Sequence, residues 1–404
     1  MTMSGIGGMS GVERYITELV DGLMQFRDVK IALIQFLNDK SQIFIRKQKL
    51  DGYTKITVPL PVAINEIISN PYWMQRYCRN VYHLLEDEFK NKQNCILHLN
   101  TLNLMDFALY VKSKIECKIV SHIHCIPWKG LYNLNKHRFN YLYNKYYILQ
   151  DYTCREEFIH RNYEVDTYCR SDAIVCVTNC AREFIKHFYK TNLPIYVISN
   201  GIQDQYEDTK TIINNNSISC IYVGNMSESK GLSFILETLD TVRKQGFNVT
   251  LRIAGKCLGT KKSELEIQYP LLDIHFLGEI PLAELCIYYK SSDIGLIASL
   301  QEQCSYAAIE MMMNALPVVV TDVDGLSEMF VDNYNALKTN VKFSPILGLK
   351  VDTKQMSENI IKLIKDYKLR KKLGNHSRIR YLTFFSLDKM ILATYKMYHK
   401  VLNI

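Results

Sequence analysis

Residues 299–329 read SLQEQCSYAAIEMMMNALPVVVTDVDGLSEM, and three structural signals follow one another inside this stretch. Ser305 stands before an apolar run rich in alanine and methionine, so its hydroxyl is placed to cap a helix predicted over about Ser305–Asn314. Pro317 then opens PVVVTDV, a short apolar run that reads as a fully buried strand. Seven residues separate Glu302 from Glu310, which puts the first in the loop before the helix and the second in its early turns. The amides of Ser305, Tyr306 and Ala307 stand at the head of that helix, where the dipole favours phosphate. Taken alone, the two glutamates read as the wet side of a capped amphipathic helix.

Outward from this stretch, short apolar runs alternate with helical patterns twice over, the signature of parallel α/β architecture. VKIALIQFL (29–37), NCILHLN (94–100), CKIVSHIH (117–124), DAIVCVT (172–178) and PIYVISNG (194–201) read as strands of a first half. A helix over Val12–Phe26 carries the apolar stripe Val12, Ile16, Leu19, Val20 and Leu23. The Asn-rich, polar segment 204–217 is the linker candidate. Beyond it ISCIYVGN, NVTLRIAG, LDIHFLG, SDIGLIAS and PVVVTDV read as a second set of strands, with helices over about Lys230–Gln245 and Leu282–Lys290. The expected organisation is a first Rossmann-like domain over 1–203, the linker, and a second over 218–384, with a helix at about 385–404 packing back on the first. Two doubly wound sheets of this kind bind ligands outside the carboxyl ends of their strands, here expected to face one cleft.

The chain has 404 residues, 48% of them hydrophobic and 22% charged, the composition of a soluble globular protein of about two domains. No apolar run reaches the ~18 residues of a membrane span and no leader pattern precedes the first helix, so a cytoplasmic location is expected. Twelve cysteines occur without a C-x-x-C pair and several lie in apolar strands, which points to reduced, buried thiols. A net charge of +8 suits an anionic partner such as a phosphorylated small molecule or an anionic membrane face. No recognition motif accompanies it, so nucleic acid is not expected.

On these motifs the chain resembles the retaining glycosyltransferases of family 4, which have the GT-B fold. Glu302, Glu310, the strand in ALPVVVTD, and Gly325–Glu328 are similar to that family's E-x7-E element, its strand after G-x-P and its G-x-x-E turn. YVGNMSESKGLSFILETL (222–239), IHFLGEIPLAELCIYYKSSDIGLIAS (274–299) and VISNGI (197–202) resemble further family elements, in the family's order. The resemblance implies that Glu302 contacts hydroxyls of the transferred sugar, that Glu310 holds the ribose, and that Lys230, beside Gly224 and Asn225, neutralises the diphosphate. The family carries an arginine where Asn225 stands, and Lys256 is the residue weighed as its replacement; EQCS stands where E-G-F-G is common.

In the first half, His124 corresponds best to the family histidine near the reacting carbon. His122 shares its sheet face and competes for that role; a metal reading of the pair with His98 is the other alternative. The resemblance implies chemistry without a bound metal or other cofactor, the nucleotide sugar being a substrate. In GIGGMSGVERY (5–15), Gly7 and Gly8 correspond to the family's glycine pair at the donor phosphate or the acceptor, with Ser10 and Gly11 as the other register. Only Met1–Ser4 precede this loop, so the first strand of the N-terminal domain is expected to be truncated and the true start to lie upstream. The Tyr- and Lys-rich segment 128–158 suits a saccharide, lipid-linked or peptide acceptor, with peripheral docking at the inner membrane face, or serves as a helix pair covering the sheet. The expected activity is hexosyl transfer in polysaccharide or glycoconjugate biosynthesis; a catalytically weakened GT-B subunit assisting a partner transferase is the alternative.

Overall fold

The structure is a computed structural model that describes residues 2–4, 11–37, 43–60, 70–126, 136–151, 164–207, 217–256, 259–344 and 348–404. Gly7, Gly8 and residues 128–135 and 152–158 of the acceptor candidate lie outside the described residues, as do residues 208–216 of the linker candidate. The chain forms two compact units: unit 1 holds 1–124, 158–201 and 387–404, and unit 2 holds 125–157 and 202–386.

Unit 1 contains eight described strands. β1 (Thr2–Ser4), β2 (Ile31–Leu37), β3 (Arg46–Leu50) and β4 (Tyr53–Pro59) form one sheet in the order β1-β2-β4-β3. β5 (Cys95–Leu99), β6 (Cys117–Ile123), β7 (Ala173–Cys176) and β8 (Ile195–Val197) form a second, all parallel, in chain order. The expected short first strand is present as β1, paired in parallel with β2 from Thr2↔Gln35 to Ser4↔Leu37, and it ends its sheet rather than standing at the centre of a larger one. The β3–β4 hairpin is absent from the expected strands. Its strand β3, RKQKL, is exposed throughout, so no apolar alternation marks it, and the visible signal was the Asp51-Gly52 turn, where Gly52 takes φ +82.

The first helix runs Gly11–Leu23, with Tyr15, Ile16, Leu19, Val20 and Leu23 buried. Tyr15, outside the expected stripe, is fully buried. The C-terminal helix Leu387–Leu402 packs on it so closely that a Cβ at Gly22 would lie 2.3 Å from Ile391 Cγ1. Tyr395 fastens the same contact, stacking on Phe26 with ring centroids 3.9 Å apart and donating to Asp28 Oδ2 at 2.7 Å.

Unit 2 is built on β9 (Ile218–Val223), β10 (Val249–Ala254), β11 (Asp273–Gly278), β12 (Ile294–Ile297), β13 (Val318–Thr321) and β14 (Ala336–Thr339), with a hairpin of β15 (Val341–Ser344) and β16 (Gly348–Val351). The six strands pair in parallel in the order β11-β10-β9-β12-β13-β14. Val318, Val319 and Val320 are fully buried, as an apolar run with helices on both faces requires. The segment taken as linker is held by unit 2 at its start: Arg378 Nη1 and Nη2 donate to the two Asp204 carboxylate oxygens at 2.9 and 2.5 Å, and its guanidinium lies 4.5 Å over the Tyr206 ring.

The helix Tyr306–Met313 has its Ser305 cap, the hydroxyl accepting from Ala308 N at 3.4 Å. It closes in a Schellman motif, with Leu316 N donating to Met311 O at 3.0 Å and Ala315 N to Met312 O at 3.1 Å. That closure forces Ala315 to φ +53, a left-handed conformation in which a Cβ costs about 1 kcal/mol. The glycine of the family's G-x-P pattern falls at this position. Ala315→Gly is therefore expected to stabilise the protein by roughly 1 kcal/mol; a denaturation midpoint that falls in the variant would refute the strain.

Candidate functional site

The strand order of unit 2 runs from β9 through β10 to β11 in one direction and through β12 to β14 in the other. Connections leaving β9 and β12 therefore diverge, and in parallel sheets the gap at such a reversal is where ligands bind. Two backbone approaches fix the loops there. At Gly231, φ +70, a Cβ would lie 2.0 Å from Ala298 O, and Leu300 N donates to Ser229 O at 2.8 Å, so the β9 loop is pressed against the β12 loop. At Gly325 a Cβ would lie 1.7 Å from Gln303 O, while Gly325 N donates to Glu302 O at 2.9 Å.

The outcome is an ion pair between Lys230 Nζ and Glu302 Oε2, two half-buried side chains 72 residues apart in sequence. Tyr222 lies beside them: its hydroxyl, kept protonated by burial and then by the Glu302 charge, donates to Asn225 O at 2.6 Å. Asn225 Oδ1 accepts from Ser227 N at 3.3 Å and Ser227 Oγ at 2.7 Å, so this side chain shapes the turn after Gly224 and supplies no charge. Lys256 is exposed past the end of β10. Ser305, Tyr306 and Ala307 are half-buried at the head of their helix. Glu310 sits deeper, 3% exposed, and its Oε2 accepts from the Tyr289 hydroxyl at 2.7 Å.

Unit 1 gathers a second group at the carboxyl ends of β5 and β6. His122 stacks on His124 with centroids 4.2 Å apart and on His98 at 5.3 Å, and the edge of Tyr15 meets His122 and His124 at 4.5 and 4.7 Å. His98 Nδ1 lies 2.5 Å from the Tyr398 hydroxyl, His98 Nε2 lies 3.2 Å from His122 Nδ1, and His124 Nε2 lies 3.0 Å from Asn100 Oδ1. The three imidazoles are stacked in parallel instead of converging on a point. Among the described residues no group of three or more His, Cys, Asp or Glu is arranged to hold a metal ion. Burial lowers the pKa of His98 and of His124 to about 3, and burial followed by the two neighbouring rings takes His122 well below its ordinary value.

Two family models match the chain: Glycosyltransferase Family 4 over residues 9–206 and Glycosyl transferases group 1 over 217–366. This chain belongs to the family 4, group 1 glycosyltransferases. Curated relatives include an uncharacterized glycosyltransferase of Methanocaldococcus jannaschii, 27% identical over 57% of this chain and 60% of its own length. The capsular polysaccharide biosynthesis glycosyltransferase CapM of Staphylococcus aureus is 23% identical over 59% of this chain and 64% of its own. The matches thus span less than two thirds of these relatives. Sucrose-phosphate synthase from Thermosynechococcus elongatus has the same GT-B fold, with TM-score 0.74 at 15% identity over 100% of this chain and 98% of that one. Anabaena HepE, solved with UDP and glucose, has TM-score 0.67 at 13% identity over 98% of both chains.

Of the family positions read from sequence, Lys230 and Glu302 meet directly, Asn225 and Ser305 stand in neighbouring loops, and Glu310 lies beneath them on Tyr289. His124 belongs to the separate group in unit 1. Tyr289, Asn100, Tyr15 and Gly231 escaped the sequence reading. Asn100 carried a usable signal, a polar residue ending an apolar strand beside the one that leads to His124; Tyr289 carried none, because its partner Glu310 is 21 residues away.

The neutral histidines make unit 1 acid-sensitive. An imidazole that stays neutral when folded but takes a proton when unfolded, below its ordinary value of 6.5, favours unfolding. Stability is fully present above pH 6.5 and is lost as pH falls toward the folded values of about 3. The expected loss between pH 7.5 and 5.5 is roughly 1 kcal/mol per histidine, read as proton uptake on denaturant unfolding; a midpoint independent of pH over that range contradicts it.

Proposed function

We propose that the protein transfers a hexosyl group from a nucleotide-diphosphate sugar to a saccharide, lipid-linked or peptide acceptor, with retention of anomeric configuration. The pairing of Lys230 with Glu302 at the β9/β12 reversal is the observation that carries this reading. It joins a cation suited to a diphosphate and a carboxylate suited to sugar hydroxyls at the place where parallel sheets bind nucleotides. Similar proteins support it: HepE was solved with UDP and glucose, and CapM is a glycosyltransferase of capsular polysaccharide biosynthesis.

In this mechanism the bond between the anomeric carbon and the diphosphate oxygen breaks as the acceptor oxygen bonds to the same face of that carbon. The acceptor's hydroxyl proton passes to the departing diphosphate. Lys230 and the head of the Tyr306–Met313 helix, at Ser305, Tyr306 and Ala307, stabilise the negative charge that develops there. Glu302 and His124 orient the sugar, Glu310 the ribose, and Gly7, Gly8 and Gly224 admit the phosphates by close backbone approach. The nucleotide sugar is the substrate, and the scheme assigns no step to a resident cofactor. We further propose that the reaction takes place on the cytoplasmic side, with peripheral contact at the inner membrane face when the acceptor is lipid-linked.

Asn225 favours a second reading, a binding subunit with weakened catalysis, because a charge-assisted contact to the diphosphate is worth about 1.5–3 kcal/mol. Release of nucleoside diphosphate from UDP-, GDP- or ADP-sugars separates the two; none with any donor, partners included, favours the subunit. Thermal-shift titration with UDP, GDP, ADP and their sugars is expected to raise Tm with one nucleotide, and Glu310→Ala to abolish the rise. An equal rise in the variant would place the nucleotide elsewhere. Lys230→Ala is expected to lower kcat/KM by about one to two orders of magnitude, and an unchanged value would remove Lys230 from the diphosphate site.

A further inference from the structure

The hydrogen bonds around His124 decide which of its two nitrogens a ligand can use. Nε2 lies 3.0 Å from Asn100 Oδ1, an amide oxygen that only accepts, so the proton of the neutral ring sits on Nε2 and Nδ1 carries the lone pair. Asn100 is itself buried, 8% exposed, just past the end of β5. His124 is half-buried, and among the described residues its ring is hydrogen-bonded through Nε2, which leaves Nδ1 as the nitrogen a ligand would meet.

The neighbours hold the ring in this state. His122 lies parallel to it at 7° and Tyr15 meets it at 67°, which fixes the ring plane. Among the described residues the titratable rings facing it are His122 from its own segment and Tyr15 from the first helix, with His98 behind His122. The Tyr398 hydroxyl, whose proton burial retains, lies 2.5 Å from His98 Nδ1, and His98 Nε2 lies 3.2 Å from His122 Nδ1, so the three groups form one hydrogen-bonded chain. The C-terminal helix thus orients the wall behind His124.

We propose that Asn100 is a positioning residue that fixes His124 as the Nε2–H tautomer, so that His124 acts only as a hydrogen-bond acceptor and recognises a hydroxyl proton of the substrate, not a phosphate oxygen. This rests on the sugar-transfer reading for the identity of the hydroxyl, which belongs to the transferred sugar. The tautomer itself does not depend on that reading. It makes the histidine a filter: an anionic oxygen, which has no proton to give, meets a lone pair and is repelled.

Long-range proton–nitrogen correlation on the full chain with labelled histidine tests this, His124 signals being assigned by their loss in His124→Gln. The expected wild-type pattern has a protonated Nε2 and a bare Nδ1. Asn100→Leu is expected to mix the two tautomers and lower donor kcat/KM roughly three- to tenfold, the worth of one neutral hydrogen bond. Asn100→Asp keeps the acceptor and places a negative charge beside the ring, so it is expected to keep the Nε2–H tautomer, restore activity at alkaline pH, and add an acid limb as His124 gains a second proton. A wild-type Nδ1–H tautomer, a pattern unchanged in Asn100→Leu, or a pH profile of Asn100→Asp identical to wild type would each overturn the proposal. Failure of the wild type to release nucleoside diphosphate beside an intact Nε2–H signal would instead remove the transferase reading and leave the tautomer in place.

Discussion

The parallel pairing of β9 with β12 is the constraint on which unit 2 depends. Its register is short, Ile294↔Cys220 and Gly295↔Ile221, yet it joins the two halves of a six-stranded sheet. A right-handed crossover after each strand sends the two halves' helices to opposite faces, so the loops after β9 and β12 have no helix between them. Gly231 lets these loops touch through backbone, with no side chain intervening. Lys230 and Glu302 then pair across the gap. Such a half-buried pair contributes little net stability once desolvation is counted.

Unit 1 solves a different problem. Its ring group, Tyr15, His98, His122 and His124, fills the end of a small sheet with polar aromatics where aliphatic side chains would ordinarily pack. Burial keeps the imidazoles uncharged, and hydrogen bonds tie His98 to Tyr398 and His124 to Asn100, while His122 Nε2 is buried without a hydrogen-bond partner among the described residues. The arrangement costs acid stability and gains a rigid polar wall, the trade expected where a precise hydrogen-bond direction matters more than burial energy.

Legibility followed the range of the interactions. The buried strand at Val318–Val320, the Ser305 cap and the first helix were readable because each is set by residues within a few positions. The β3–β4 hairpin was not, since an exposed charged edge strand has no apolar period. The Schellman turn at Ala315 was only half readable: the proline and the strand were plain, but alanine in place of glycine hid the left-handed residue. Among the candidate residues, residue types and order pointed to Lys230, Glu302 and Glu310 in unit 2 and to His124 in unit 1, whereas Tyr289 and Asn100 became visible only as partners.

The sequence by itself determined the class of fold, two alternations of buried strands with amphipathic helices, and the family to which its glutamate and lysine loops belong. These depend on local periodicity and on residue chemistry, which a chain displays without folding. Which groups meet was decided by tertiary structure alone: Lys230 finds Glu302 across 72 residues, Tyr398 reaches His98 across 300, and Asn100 sets His124 across 24. Such contacts depend on strand order and register, and a parallel sheet sets both through crossovers that carry no mark at either end of the contact.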